Sequence, residues 1–176
     1  EELSLEKAVE WWREWASRCS HEGPYHDAVI RSLLVLRALT HEATGGIVAA
    51  ATTSLPEQFG GPRNWDYRFV WLRDASLTLS AFLTHSYVSE AQAWRNWLLR
   101  ALAGDPADVQ TMYGLAGERY LPERKLDSLP GYQGSAPVRV GNAAYRQFQG
   151  DVIGEVMVAL AEARDAGVNE DAFSWP

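Results

Sequence analysis

The chain has 176 residues, of which 47% are hydrophobic and 22% are charged, and its formal net charge is −7. This composition is typical of a globular domain long enough to bury a core, and it excludes an intrinsically disordered chain. Because phosphate binding needs clustered Lys and Arg, and the sequence has no such cluster, the acidic balance argues against a nucleic-acid partner.

Three features of the sequence bear on its compartment. Its apolar runs are too short and too interrupted to span a bilayer. Cys19 is the only cysteine, so no intrachain disulfide can form, which is compatible with a reducing compartment. Residues 1–4 are acidic and lead directly into a helical pattern instead of a signal peptide. We therefore expect a cytoplasmic protein without a membrane partner.

The first forty residues predict two helices. Apolar residues from Leu5 to Ala16 recur at the i, i+3, i+4 spacing of an amphipathic helix, with Ser4 as its N-cap. Gly23 and Pro24 then break the chain, and a second helix is predicted over residues 25–40. Because apolar residues surround most of this second helix, we expect it to be buried between other helices.

The middle of the chain alternates loops and helices. Residues 45–66 are predicted to form an extended loop, because glycine and proline recur through them. A third helix is predicted to begin near Leu72 or Asp74, and a fourth helix to end before Gly104.

Capping signals and a glycine-rich stretch complete the pattern. Ser89 and Gln92 predict a capping box for the fourth helix, and Asp105 followed by proline predicts a further helix start. Residues 115–142 are predicted to form a long loop, and residues 145–166 a last helix. Together these patterns predict an all-α chain of helical hairpins, without a sheet.

Tryptophan is unusually frequent in the chain. The indole offers a flat apolar face and one N–H donor, which suits both core packing and stacking against sugar rings. We expect Trp94 and Trp97 to be core residues, because they share a helix face with Leu98 and Leu102. The eight tryptophans are at positions 11, 12, 15, 65, 71, 94, 97 and 175.

Residues 60–74 form the densest cluster of aromatic and charged side chains, with four aromatics, three arginines and two aspartates. Arg73 and Asp74 together supply donors and acceptors that the vicinal hydroxyls of a sugar can use in both directions. Tyr67 and Trp71 would provide a flat wall beside them. For Asp74 alone, a structural role as a helix cap is equally open.

Two blocks of sequence resemble glycoside hydrolase family 15, which includes glucoamylases, glucodextranases and bacterial trehalases. The first block comprises residues 45–57, 63–68 and 71–74. The second comprises residues 129–135 and 137–144, followed by Gln147, Gln149, Asp151 and residues 154–156. Several separate motifs in the same order, spread over roughly residues 25–165, make a chance match improbable.

The resemblance implies an (α/α)6 barrel, of which residues 1–176 would form the N-terminal part. It also implies hydrolysis from the non-reducing end of an oligosaccharide or disaccharide with a terminal α-glucose, with inversion at the anomeric carbon. Glucan and trehalose remain equally open as the substrate. The site residues that it implies are Arg73 and Asp74 on the outer hydroxyls, Tyr67 and Trp71 along the subsite, and Tyr145 and Gln149 near the sugar.

The catalytic pair is not assigned within the chain. Inverting hydrolysis needs a general acid and a general base whose carboxyls lie about 6.5–9.5 Å apart. In the family both follow the second block, so the resemblance implies a chain truncated before them and inactive in isolation. Asp151 and Glu155 share a helix face at i, i+4, but we favour structural roles for them, as for Asp66 and Glu118.

Two other classes of function stay open, a non-catalytic helical module that binds carbohydrate or a partner chain, and a self-associating half-barrel. Half a barrel would expose apolar helix surface, and large exposed apolar patches favour self-association. We expect no metal and no cofactor. Cys19, His21, His26 and His41 do not match zinc-ligand spacings, and the glycine pairs lack the residues of a phosphate-binding loop.

Overall fold

A computed structural model describes residues 2–104 and 106–168 of the chain. Asp105, predicted to cap a helix, and Trp175 lie outside these ranges. The described residues form five α-helices and are dominated by them, which confirms the all-α class and fits the helical hairpins of a partial (α/α)6 barrel. The helices are α1 Glu2–Ser17, α2 His26–Ala38, α3 Leu72–Thr84, α4 Val88–Ala101 and α5 Asp151–Asp165.

Two short antiparallel ladders connect the long loops. Strand β1, Val70–Trp71, pairs with β2, Met112–Tyr113, and β3, Arg124–Lys125, pairs with β4, Arg139–Val140. The prediction of a chain without any sheet was therefore wrong, although each sheet has only two strands of two residues. Two residues are too few to produce a recognisable alternation of apolar and polar side chains, so the sequence pattern carries no signal for such strands.

The main core lies where α3 packs against α5 and α4. Trp94 and Trp97 on α4 are 0% and 1% exposed, which confirms their prediction as core residues. Leu79 and Phe82 on α3 are likewise fully buried against them. This core fixes the N-terminus of α3, and the first turn of α3 carries Arg73 and Asp74.

Two predicted helix caps were wrong. Ser4 lies inside α1, and Ser89 and Gln92 lie inside α4, whose N-cap Tyr87 makes no side-chain cap. The Ser89 hydroxyl donates instead to Glu90 Oε2, at 2.7 Å. The side chains of a capping box can also bond along a helix, and here Gln92 donates to Asn96 at 2.9 Å.

Helices α2 and α5 also differ from their predictions. Within the described residues α2 packs chiefly against α1 and α3, and Val35 remains 52% exposed, so α2 is not buried on all sides. Helix α5 begins at Asp151 instead of residue 145, because Ala143–Arg146 form a 3₁₀ helix and Gln147 is extended. No helix in the described ranges is both long and apolar enough to cross a bilayer.

The two buried tryptophans of α4 give a matched test of the core. The indole N–H of Trp97 donates to the Leu115 carbonyl at 2.9 Å, whereas that of Trp94 has no partner among the described residues. Both substitutions to phenylalanine remove similar volume, but only Trp97→Phe loses a hydrogen bond. We expect Trp97→Phe to lower the free energy of unfolding by about 1–2 kcal/mol more than Trp94→Phe, as measured by urea unfolding. Equal losses would contradict this assignment.

Candidate functional site

The loop before α3 is anchored by a buried carboxylate. Asp66 is 0% exposed, and Arg68 donates to it through its backbone N–H at 3.2 Å and its guanidinium at 2.9 and 2.8 Å. The Gly141 N–H, from the other loop, donates to Asp66 Oδ2 at 3.0 Å. Burial by itself raises the pKa of Asp66, but these hydrogen bonds outweigh it and hold the pKa below its ordinary value.

Gly141 cannot be replaced in this arrangement. Its φ of +80° lies in the left-handed region, and a Cβ there would collide with the Pro122 carbonyl oxygen. The glycine thereby brings the chain close enough for its N–H to reach Asp66.

Arg139 joins the same two loops a second time. It is 8% exposed, and its Nη1 donates to the carbonyl oxygens of Pro62 and Asn64 at 2.9 and 3.1 Å. Its Nε donates to Glu123 Oε1 at 3.1 Å, and its Cζ lies 4.4 Å from the centroid of Trp65. Hydrogen bonds therefore link the two sequence blocks into one frame.

Three aromatic side chains, Tyr67, Trp71 and Tyr145, lie in or next to the two linked loops. The rings of Tyr67 and Trp71 are 5.7 Å apart, and Trp71 and Tyr145 belong to one apolar cluster with Met112 and Leu121. Tyr67 is 38% exposed, whereas Trp71 is 6% and Tyr145 9% exposed. Of the three rings Tyr67 thus presents the most accessible surface, and Trp71 packs beside it.

The guanidinium of Arg73 is held from three directions. Its Nη1 donates to Gln149 Oε1 at 2.9 Å and to Asp151 Oδ2 at 3.2 Å, and its Nη2 donates to Asp74 Oδ2 at 3.3 Å. The side chains of Arg73, Asp74 and Asp151 are 37%, 43% and 50% exposed. The group is therefore fixed in direction and still open to solvent.

Asp74 lies in the first turn of α3, where a negative charge is favourable. The N-cap of this helix is Trp71, which makes no side-chain cap, so the Asp74 carboxylate is not the cap that the sequence left open. Burial raises the pKa of Tyr67, and the carboxylates of Glu57 and Asp74 raise it further. Tyr67 thus stays a neutral hydroxyl within the field of Asp74.

The six residues predicted from sequence meet in one region. Ring contacts and a shared apolar cluster link Tyr67, Trp71 and Tyr145, while hydrogen bonds link Arg73 with Asp74 and Gln149. The two groups are joined along the chain at the start of α3, between residues 71 and 73.

Two residues of this region were missed from sequence. Asp151, for which a structural role was favoured over a catalytic one, pairs with Arg73 at the N-terminus of α5. Arg146 donates from Nε to the Tyr145 hydroxyl at 2.7 Å and lies over that ring. The i, i+4 spacing places Asp151 and Glu155 on one face of α5, but it carries no signal for the ion pair of Asp151 with Arg73 on α3.

Comparison with known proteins places the chain in a family. The sequence profile described as Glycosyl hydrolases family 15 matches residues 23–176. The chain is 39% identical over 173 residues to a protein named Trehalase from Thermoplasma acidophilum, covering 98% of this chain and 29% of that protein. It is 41% identical over 175 residues to a Trehalase from Mycolicibacterium smegmatis, covering 97% and 26%. The chain belongs to glycosyl hydrolase family 15.

The chain spans less than a third of the length of these relatives. The same holds for a protein named Trehalase 1 from Sulfolobus acidocaldarius, which is 40% identical over 162 residues, covering 90% of this chain and 28% of that protein. No solved structure matches the chain.

Proposed function

We propose that this chain is part of an inverting, exo-acting α-glucosidase and that it binds the terminal glucose of the substrate. Membership of glycosyl hydrolase family 15 and the similarity to proteins named Trehalase support a glucose-releasing enzyme. The observation that carries the binding role is the arrangement of Arg73, held by three side chains and still partly exposed.

The donors of Arg73 are only partly used. A guanidinium has five N–H groups, and three of those on Arg73 are bonded to Gln149, Asp151 and Asp74. Two N–H groups have no partner among the described residues and are available to a ligand. Because the three partners restrict rotation of the side chain, little conformational entropy remains to be lost on binding.

Asp74 complements these donors. Its carboxylate accepts one hydrogen bond from Arg73 and retains lone pairs for a further donor. Adjacent hydroxyls of glucose each donate and accept, so one can donate to Asp74 while its neighbour accepts from Arg73. The sum of charge on Arg73, Asp74 and Asp151 is −1, which suits a neutral sugar better than an anion.

We place the general acid and base outside these 176 residues. Asp66 accepts four hydrogen bonds and is inaccessible, and Asp151 is engaged by Arg73. Asp66 therefore cannot reach a glycosidic oxygen or a water, and we assign the half-exposed Asp151 to orienting Arg73. The chain then supplies binding of the terminal glucose, and the isolated chain is inactive.

Trehalose is the substrate that we propose first, with α-glucans as the alternative. The proteins matched over nearly the whole of this chain are named Trehalase. Both substrates present a terminal α-glucose to Arg73 and Asp74, so this half of the site serves either one.

Calorimetric titration of the chain with glucose, maltose, trehalose and acarbose tests the proposal, with release of glucose from maltose and trehalose followed in the same samples. We expect binding of the four compounds without turnover. Turnover by the chain alone would contradict the placement of the catalytic pair. Failure of all four to bind would remove the binding role.

We also propose that the isolated chain self-associates. Ile153, Met157 and Val158 on α5 are each at least half exposed, at 53%, 50% and 53%. Burying such an apolar face favours association. Light scattering at increasing concentration tests this, and a monomer at all concentrations would contradict it.

We further propose that the whole protein is located in the cytoplasm, and cell fractionation tests this location.

A further inference from the structure

A second cleft lies between α1, α2 and α4 and shares no lining residue with the site around Arg73. Its volume is about 290 Å³, and it lies between the two N-terminal helices and the first turn of α4. We call it the α1–α2 cleft. Its lining residues are Trp11, Glu14, Trp15, Arg18, Arg37, Glu42, Ser89 and Glu90.

Arg37 is the buried cation of the α1–α2 cleft. Its side chain is 9% exposed, Nη1 donates to the Thr40 carbonyl at 3.4 Å, and Nη2 pairs with Glu42. Its Nε–H has no partner among the described residues. Three of its five N–H groups thus have no partner among the described residues, and an acceptor that reaches the guanidinium from the cleft would be stabilised.

Trp11 gives the cleft an accessible aromatic surface. It is 42% exposed, although the neighbouring Trp15 is only 3% exposed and donates from its indole to Glu90 at 2.6 Å. The guanidinium of Arg37 lies 5.1 Å from the Trp11 centroid. Trp11 is therefore not a core anchor, and its ring is held beside the guanidinium of Arg37.

The charges of the cleft select the class of ligand. Two cations, Arg18 and Arg37, face three carboxylates, Glu14, Glu42 and Glu90, so the sum is −1. A negative sum disfavours an anion. The Glu42 side chain is 82% exposed and retains acceptor capacity, so donor and acceptor groups lie together beside an aromatic ring.

We propose that the α1–α2 cleft is a second saccharide-binding site, which takes a neutral sugar. One sugar ring packs on the exposed part of Trp11, one hydroxyl accepts from a terminal N–H of the Arg37 guanidinium, and a neighbouring hydroxyl donates to Glu42. This site goes beyond the terminal-glucose site, because it uses other residues on other helices and requires no contact with Arg73.

Nuclear magnetic resonance of the tryptophan indole N–H groups tests the proposal, with trehalose and maltose as the probes. We expect the Trp11 signal to shift in a saturable manner with at least one of the two sugars, in the unaltered chain and equally in Arg73→Ala. Persistence in Arg73→Ala separates this site from the proposed terminal-glucose site, so that either can fail without the other.

Two variants on the surface of the cleft complete the test. We expect Trp11→Ala, followed through the remaining indole signals, and Glu42→Ala each to weaken the affinity of the cleft by about tenfold. Leu5→Ala is the matched control, an exposed apolar residue on α1 outside the cleft, and should leave the affinity unchanged. The absence of a Trp11 shift with both sugars, or a shift lost in Arg73→Ala, would overturn the proposal.

Discussion

Arg73→Ala is expected to weaken binding of glucose by about 100-fold, because it removes two charge-assisted hydrogen bonds to the sugar. Asp74→Ala should cause a similar loss by removing the acceptor for the neighbouring hydroxyl. Both are measured by calorimetric titration of the chain with glucose. Arg63→Ala is the matched control, since Arg63 lies in the same segment but pairs with Glu57 at the surface. An unchanged affinity in Arg73→Ala would contradict the assignment.

Substitutions of Asp151 test whether this residue contacts the sugar or only positions Arg73. It contacts Arg73 but is proposed to orient the guanidinium and not to contact the sugar. Asp151→Asn keeps an oxygen acceptor for Arg73, so we expect a smaller loss of glucose affinity than in Asp151→Ala. Equal losses in the two variants would indicate that the charge of Asp151 acts on the ligand directly.

Asp66→Ala is expected to lower the free energy of unfolding by about 3 kcal/mol. The substitution leaves the buried Gly141 N–H and the Arg68 N–H groups without their acceptor. Urea unfolding followed by circular dichroism measures the change. Asp127→Ala is the control, because Asp127 is an exposed aspartate in the loop before β4. A loss no larger than that of the control would contradict the structural role of Asp66.

The same carboxylate predicts the direction of the pH dependence. The pKa of Asp66 is lower in the folded chain than its ordinary value, so its ionised form stabilises the fold above that ordinary value. This stabilisation is lost as the pH falls through the pKa of the folded chain. Burial also raises the pKa of Glu90, but bonds from Ser89, Trp15 and Arg18 lower it overall, in the same direction.

The difference in melting temperature between the unaltered chain and Asp66→Ala should therefore shrink as the solution is made acidic below about pH 4, the ordinary range for aspartate. Glu90 is present in both proteins, so it does not contribute to this difference. A difference that stays constant from neutral to strongly acidic pH would show that hydrogen bonding to Asp66 does not depend on its ionisation.

The parts of the fold that depend on local pattern could be predicted from the sequence. The start of α3 near Leu72 and the burial of Trp94 and Trp97 follow from helical periodicity, and the structure confirms them. The caps at Ser4 and Ser89 were wrong, because both serines lie inside helices and the Ser89 hydroxyl donates to the neighbouring Glu90.

Contacts between distant segments could not be derived from periodicity. The bond from Gly141 to Asp66 joins residues 75 positions apart, and Arg139 reaches the carbonyl of Asn64 over the same separation. The resemblance to a family grouped the two blocks, but it did not specify which atoms meet. The pairing of Asp151 with Arg73 depends on how α5 packs against α3, which is a tertiary property.

The central claim is that Arg73 and Asp74 form the binding site for a terminal glucose. A crystal structure of the chain soaked with glucose tests it most directly. We predict a sugar with adjacent hydroxyls within about 3 Å of the Arg73 guanidinium and the Asp74 carboxylate, beside Tyr67. A sugar bound only elsewhere, with Arg73 and Asp74 still exposed to solvent, would contradict the claim.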